Sequence, residues 1–210
     1  MSSTKKSRII FYCNKEQKRS KKSPVLFLDR DGVIIEDCHY IKDPNKVKIC
    51  IGAKKLIRSA FKKNIPTIVI TNQSGISKNL LSWEDYNCVT KAMISKLGSP
   101  NPISAIYANS YINDMPTGNW RKPNPTMIFE ALEDLSLNID NSILIGDRKS
   151  DILSGLRAGI KNLIHVKTGH GKREREYLIN DLENNLLKLN KSDLQFINDL
   201  REFPFNLLDS

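Results

Sequence analysis

The amino-acid sequence predicts an α/β fold, a doubly wound parallel sheet of about five strands of the Rossmann-like kind. Three observations predict it. Short continuous apolar runs recur along the chain, as strands buried on both faces require. Segments between them place apolar residues at helical spacing. The two patterns alternate from Val25 to Val166 without a separate block of either, which is the order of strands joined by helical crossovers.

The first run is Val25 to Leu28, entered through Pro24 and left through Asp29. The others are Pro66 to Thr71, Ile103 to Ala108, Ser142 to Gly146 and Asn162 to Val166. Each is short enough for a strand and too short for a free-standing helix. After the first run, Ala53, Leu56, Ile57, Ala60 and Phe61 form one apolar stripe, while Lys54, Lys55, Arg58, Lys62 and Lys63 face out. Ser82 followed three residues later by Asp85 reads as a capping box that opens a helix reaching Leu97. Asn124 then Pro125 reads as an N-cap and a proline at the first helical position, with Met127, Ile128, Ala131, Leu132 and Leu135 on the buried face. Ile152, Leu153 and Leu156 mark a further helix over 150–158, closed by Gly159.

The two ends do not share this alternation. Residues 1–24 read as a basic tail or a loosely docked strand, with Ile9 to Tyr12 its only apolar stretch. Residues 25–170 form the body. Residues 171–210 read as a C-terminal helical appendage, on the strength of Tyr177, Leu178, Leu182, Leu186, Leu187, Leu194, Phe196, Ile197 and Leu200.

A chain of 210 residues with 40% hydrophobic content favours one domain with a sizeable core. No apolar run approaches the roughly 18 to 20 residues of a membrane helix, and the first residues lack the apolar core of a secretion signal. A cytoplasmic protein without a membrane partner is expected. The four cysteines, Cys13, Cys38, Cys50 and Cys88, include no C-x-x-C pair and are expected to be reduced. The net charge of +10 suggests a nucleic-acid partner until it is apportioned. Residues 1–24 hold eight basic residues against Glu16, which leaves only +3 on the rest of the chain.

Reactive groups in open α/β sheets gather at the carboxyl ends of the strands. There the sequence places Asp29-Arg30-Asp31-Gly32, then Thr71-Asn72-Gln73-Ser74-Gly75, then Arg121-Lys122-Pro123 after a loop, then Asp147-Arg148 with Asp151 four residues on. Two carboxylates two residues apart, a third from another strand, a hydroxyl and a lysine suit a magnesium and phosphate site. A metal and Lys122 would offset the repulsion between an anionic nucleophile and an anionic phosphate, so that an Asp could attack and form an aspartyl-phosphate.

In this order, D-x-D-G, Thr, Lys before a proline-capped helix, and G-D-x-x-x-D, the chain resembles the haloacid dehalogenase superfamily of phosphohydrolases. FLDRDGVI, Asp37-Cys38-His39-Tyr40, VITNQSGI, RKPNP and IGDRKSD are similar to its subgroup of D-glycero-D-manno-heptose 1,7-bisphosphate phosphatases and histidinol-phosphatases. The resemblance covers roughly residues 25 to 170. It implies Asp29 as nucleophile and Mg²⁺ ligand, Asp31 as general acid and base that also binds Mg²⁺ through its carbonyl, Asp147 as a further ligand and Asp151 as an acid that orients the site. Thr71 and Asn72 would hold the transferring phosphoryl group and Lys122 would neutralise it. Asp37, His39, Tyr40, Gln73, Ser74, Arg121 and Arg148 would line the substrate, with Arg121 able to fork onto a second phosphate.

The subgroup commonly holds zinc through Cys and His in the loop before R-K-P. This chain reads NSYINDMPTGNWRKP there, so zinc is not expected and packing through Tyr111 and Trp120 must order the loop. With no large insertion, a minimal or absent cap and an open cleft are expected. His165 reads as a core residue and His170 as solvent-facing. The expected function is a Mg²⁺-dependent phosphomonoesterase, a monomer acting on a small phosphorylated metabolite such as a heptose bisphosphate. The alternatives are a histidinol-phosphate phosphatase and a nucleic-acid 3′-phosphate end-processing or binding module.

Overall fold

The computed structural model describes residues 24–112 and 119–209 in full and residues 7–11 as backbone. Among the described residues seven strands form one sheet: β1 (Ser7–Phe11), β2 (Leu26–Leu28), β3 (Thr67–Asn72), β4 (Ala105–Asn109), β5 (Ile143–Gly146), β6 (Asn162–Val166) and β7 (Asp193–Ile197). Their order is β1-β4-β3-β2-β5-β6-β7, with β1 antiparallel to β4 and every other pair parallel. All five apolar runs are strands, so the doubly wound parallel sheet is as expected.

The continuous apolar runs have a direct cause in packing. Leu26 and Leu28 enter one core with Val69, Ile106, Ile145 and Ile164, whereas Phe27 enters the opposite core with Ile68, Tyr107, Leu144 and Leu163. Helices α1 (Ala53–Lys62) and α3 (Trp83–Leu97) cover the first face. Helices α4 (Thr126–Asp134), α5 (Lys149–Ala158) and α6 (Gly171–Glu183) cover the second. A strand with both faces buried cannot alternate polar and apolar residues. Truncating such a residue, as in Leu28→Ala, costs about 2–5 kcal/mol.

The helix boundaries follow their caps. Ser82 and Asp85 form the reciprocal capping box that opens α3, and Gly159 closes α5 at φ 85°. Helix α4 begins at Thr126, one residue later than expected, and the Asn124 side chain accepts from its backbone N–H. A one-turn helix, α2 (Ser74–Ser77), follows β3 directly.

The N-terminal end takes the docked-strand form, one of its two expected readings, whereas the C-terminal end departs from the expectation. Residues 7–11 of the basic tail pair with β4 along its whole length, from Ser7 opposite Asn109 to Phe11 opposite Ala105. The remainder of the tail and its charge lie outside the described residues. The C-terminal part is not a helical appendage: α6 forms, but residues 193–197 are the seventh strand, in parallel register with β6. Leu194, Ile197 and Leu200 fit a helical spacing, while Leu194 and Phe196 fit the two-residue period of a strand. Packing selects the latter, with Leu194 and Phe196 on the second core and Ile197 on the first. Two 3₁₀ turns then bury Leu200, Phe203 and Leu208 in the first core.

Between β2 and α1, the described chain holds only short bridges at Asp31, Ile35 and Ile49 and one 3₁₀ turn, so no cap domain is inserted there. No helix among the described residues is long and apolar enough to cross a membrane. The chain runs from β2 to β3 and β4 on one side, then returns to β5 on the other side of β2. The carboxyl end of β2 is therefore the switch point of the sheet, where a crevice opens.

Candidate active site

Asp29 stands at that switch point. Its backbone N–H donates to Ile145 O of β5 at 3.0 Å, so the residue is locked to the neighbouring strand, and it is 8% exposed. Across the crevice, Lys122 is 3% exposed and sends Nζ to Asp29 Oδ1 at 2.6 Å, to Asp151 Oδ1 at 2.6 Å and to Ile70 O at 2.8 Å. Lys122 lies outside any strand, yet its backbone is fixed. Asn72 Oδ1 accepts from Lys122 N at 3.1 Å, and Asn72 Nδ2 donates to Lys122 O at 3.1 Å. The Asn72 side chain is thus a bracket for the lysine, a part not anticipated for it.

Asp147 is fully buried. Its Oδ2 accepts from the His170 backbone N–H at 2.7 Å, whereas Oδ1 is buried and takes no hydrogen bond among the described residues. Gly32 at φ 87° and Gly169 at φ 56° close over it, and a Cβ on either would overlap Asp147 Oδ2. Asp151, 2% exposed, accepts from Arg148 N at 3.0 Å through Oδ2. One carboxylate oxygen each from Asp29, Asp147 and Asp151 lies within 4.8 Å of the others.

Such crowding is costly for three buried negative charges. Burial pushes Asp29 up to about 7, with Asp151 and Asp31 adding to the rise and Lys122 opposing it. Burial pushes Asp147 up to about 9, helped by Asp29 and Asp151 and opposed by the His170 N–H and Arg148. Burial pulls Lys122 down, but Asp151 and Asp29 outweigh it and hold the ammonium firmly protonated. The cluster has a deficit of positive charge and an unused buried oxygen. Those are the conditions in which a hard, oxygen-binding dication such as Mg²⁺ fits.

The Asp31 carboxylate is directed elsewhere. It pairs with Arg30, whose Nε reaches Oδ2 at 3.1 Å and Nη2 reaches Oδ1 at 3.0 Å. Gln73 Nε2 donates to Asp31 Oδ2 at 2.8 Å and to Thr71 Oγ1 at 2.8 Å, and Gln73 Oε1 accepts from Arg30 Nη2 at 3.0 Å. Arg30 is 2% exposed and lies 4.9 Å over the ring of Tyr86, which leaves its guanidinium little freedom. Arg30 is thus a site residue, although the D-R-D-G motif by itself points to no task for it.

These groups floor a cleft of about 420 Å³. Its wall includes Asp37, His39, Tyr40, Ser74, Arg121 and Arg148, all expected there; Thr71 and Asp147 are buried and do not reach it. Lys78, Ser150 and His170 line it too, without having been anticipated. Lys78 Nζ donates to Tyr40 Oη at 3.2 Å. His170 is not solvent-facing: its Nε2 lies 2.7 Å from Asp37 Oδ2, because the Gly169 turn folds it back over Asp147. Burial, then Arg148, lowers its pKa. His165 is a core residue as expected, with Nε2 3.0 Å from Asp147 O and a pKa pushed down to about 4 by burial and Arg175.

The loop before Arg121 is pinned at both ends. Trp120 packs on the second core and tilts against Tyr107 at 5.8 Å, Arg121 Nη1 donates to Tyr111 O at 3.0 Å, and Asn119 Oδ1 accepts from Arg121 N. Residues 113–118 of that loop lie outside the described residues.

Comparison with known proteins agrees with this arrangement. A family model described as HAD-hydrolase-like matches residues 119–188. The D-glycero-alpha-D-manno-heptose-1,7-bisphosphate 7-phosphatase of Photorhabdus laumondii is 37% identical over 181 residues, covering 81% of this chain and 96% of that protein. The D-glycero-beta-D-manno-heptose-1,7-bisphosphate 7-phosphatase of Mesorhizobium japonicum is 33% identical over 144 residues, 65% of this chain and 66% of that protein. Among solved structures, the D,D-heptose 1,7-bisphosphate phosphatase of B. bronchiseptica, complexed with magnesium and phosphate, superposes with a TM-score of 0.72 at 22% identity, covering 89% of this chain and 98% of that one. At that identity the match shows the shared fold.

Proposed function

We propose that this chain, which belongs to the haloacid dehalogenase-like hydrolase family of the D-glycero-manno-heptose-1,7-bisphosphate 7-phosphatases, is a Mg²⁺-dependent phosphomonoesterase that removes the 7-phosphate of a heptose 1,7-bisphosphate. The observation that carries the reading is the buried Lys122, 2.6 Å from Asp29 at the sheet's switch point, with further cations on the wall of the same cleft. A buried lysine facing an aspartate suits a site that admits a phosphate dianion against a carboxylate nucleophile.

In this reading Asp29 Oδ attacks phosphorus, the bond from phosphorus to the sugar oxygen breaks, and Asp31 gives its proton to that oxygen. Asp31, now ionised and held by Arg30 and Gln73, then takes a proton from water as the water oxygen attacks the aspartyl-phosphate. Inorganic phosphate leaves and Asp29 is restored. Lys122 neutralises the transferring group and the Asn72 backbone holds it, while the buried Thr71 hydroxyl anchors Gln73 and Asp151 keeps Lys122 in place. Asp29, Asp147 and the main-chain carbonyl of Asp31 would hold Mg²⁺, whose bound charge would stabilise the developing negative charge on the phosphoryl oxygens. Asp37, His39, Tyr40, Ser74, Arg121 and Arg148 contact the sugar and its second phosphate.

Zinc has no part in ordering the loop before Arg121 in this account, because that loop offers neither Cys nor His. The described residues that line the cleft all come from one chain, which suits a monomer acting on a cytoplasmic metabolite. The test is a side-by-side measurement of kcat/KM on D-glycero-D-manno-heptose 1,7-bisphosphate and histidinol phosphate in Mg²⁺, with ³¹P NMR to locate the phosphate released. The proposal expects the bisphosphate to be favoured and its 7-phosphate to leave. A preference for histidinol phosphate would overturn the substrate while leaving the reaction class intact.

A further inference from the structure

We propose that Asp37, His39 and His170 form a second cation site at the rim of the cleft, suited to a transition ion of the zinc class rather than to Mg²⁺. One ligand-type atom from each lies within 4.8 Å of the other two. They come from separate parts of the chain, the segment after β2 and the turn that opens α6, so sequence proximity alone does not assemble them.

The cluster is held in place. Asp37 Oδ1 accepts from His39 N at 3.0 Å, and Asp37 Oδ2 lies 2.7 Å from His170 Nε2. The two imidazoles tilt at 48° with centroids 5.8 Å apart, and the His170 backbone is anchored on Asp147 at 2.7 Å. His39 and Tyr40 have φ values of 42° and 56°, in the left-handed region that non-glycine residues rarely adopt. That backbone brings the His39 ring to His170, while the Tyr40 hydroxyl meets Lys78.

The donor sets sort the metals. Asp29, Asp147 and Asp151 offer carboxylate oxygens alone, which suits a hard ion. Two imidazoles and one carboxylate suit a borderline ion and leave coordination positions open. Zinc–ligand bonds of about 2.0–2.2 Å would fit between these atoms after small side-chain rotations, because neighbouring ligands in a tetrahedral shell are roughly 3.4 Å apart. All three residues line the cleft, so an open position can accept an oxygen from its contents. If the reading of the reaction given above holds, that oxygen belongs to the phosphate remote from Asp29.

The test is a Co²⁺ titration of the untagged chain in saturating Mg²⁺, read by visible absorption, with His39→Ala, the His39→Ala/His170→Ala pair and Asp29→Asn beside the wild type. Cobalt is the spectroscopic probe for zinc. The expected result is one equivalent of Co²⁺ with the bands of a nitrogen-ligated site of low coordination number, bleached by Zn²⁺, retained in Asp29→Asn and lost in both histidine variants. His39 is exposed, so its variant remains folded, as a thermal melt would verify. Absence of such bands in the wild type, their survival in the paired variant, or their loss in Asp29→Asn would overturn the site. None of these results bears on phosphate release, which is tested through Asp29.

Discussion

Lys122 Nζ lies 2.6 Å from Asp29 Oδ1 and ties together residues 93 positions apart. The same nitrogen reaches Asp151 at the same distance, so one buried ammonium serves two carboxylates while Asp147 crowds the same space. This imbalance determines how the protein should respond to mutation, pH and metal.

Replacing Lys122 by Met removes the only positive charge in that inner cluster, as drawn from the described residues. Leaving buried carboxylates unpaired costs about 3–5 kcal/mol. Urea unfolding in EDTA should show a loss of that order at pH 8. The loss should be smaller at pH 5, where Asp29 and Asp147 can take up protons instead.

Metal-free stability should fall as the pH rises from about 5 to 9. Asp29 and Asp147 titrate near 7 and 9 in the folded chain against an ordinary value of 3.8, so the folded state binds protons more tightly. Their stabilising contribution is complete below the unfolded value and is lost as the pH passes through the folded ones. Mg²⁺ takes the place of those protons, and the rise in melting temperature on adding it should be larger at pH 8 than at pH 5.5. An equal Mg²⁺ shift at both values would contradict the charge deficit described above.

Gln73→Leu should act on Asp31 without touching the nucleophile. It deletes the donors to Asp31 and Thr71 and the acceptor for Arg30. Arg30 keeps its pairing with Asp31 but loses one buried acceptor, which should cost about 1–3 kcal/mol. Steady-state kinetics should show kcat falling by more than KM rises, and Asp31→Asn should lower kcat by about 10²–10⁴-fold, the usual worth of a general acid and base.

Arg121→Ala should separate two kinds of substrate. If Arg121 grips the second phosphate, kcat/KM on a sugar bisphosphate should drop by about 10–100-fold, the worth of one charge-assisted hydrogen bond. An aryl monophosphate has no second phosphate and should be affected far less.

Much of this site was legible in the sequence for a geometric reason. Parallel strands carry their following residues to one edge, so Asp29, Thr71 and Asp147 could be placed together from the apolar runs that precede them. Lys122 was found through its neighbours Arg121 and Pro123. What the sequence concealed were contacts that depend on how loops return. Nothing local shows that Asn72 brackets Lys122, that Arg30 folds onto Asp31 under Tyr86, or that the Gly169 turn lays His170 on Asp147. The Gly-His-Gly run, Gly169 to Gly171, was the one available signal for that turn. The β7 strand is hidden in the sequence for a different reason, since its apolar residues satisfy both periods and only the open edge of β6 decides between them.

The proposed reaction turns on Asp29 attacking phosphorus with Lys122 at its side. Its most direct test is the initial rate of phosphate release from D-glycero-D-manno-heptose 1,7-bisphosphate in saturating Mg²⁺, compared between the wild type and Asp29→Asn, a change of one atom that preserves shape. A fall of more than about 10³-fold is expected. A variant that hydrolyses the substrate at the wild-type rate would contradict it.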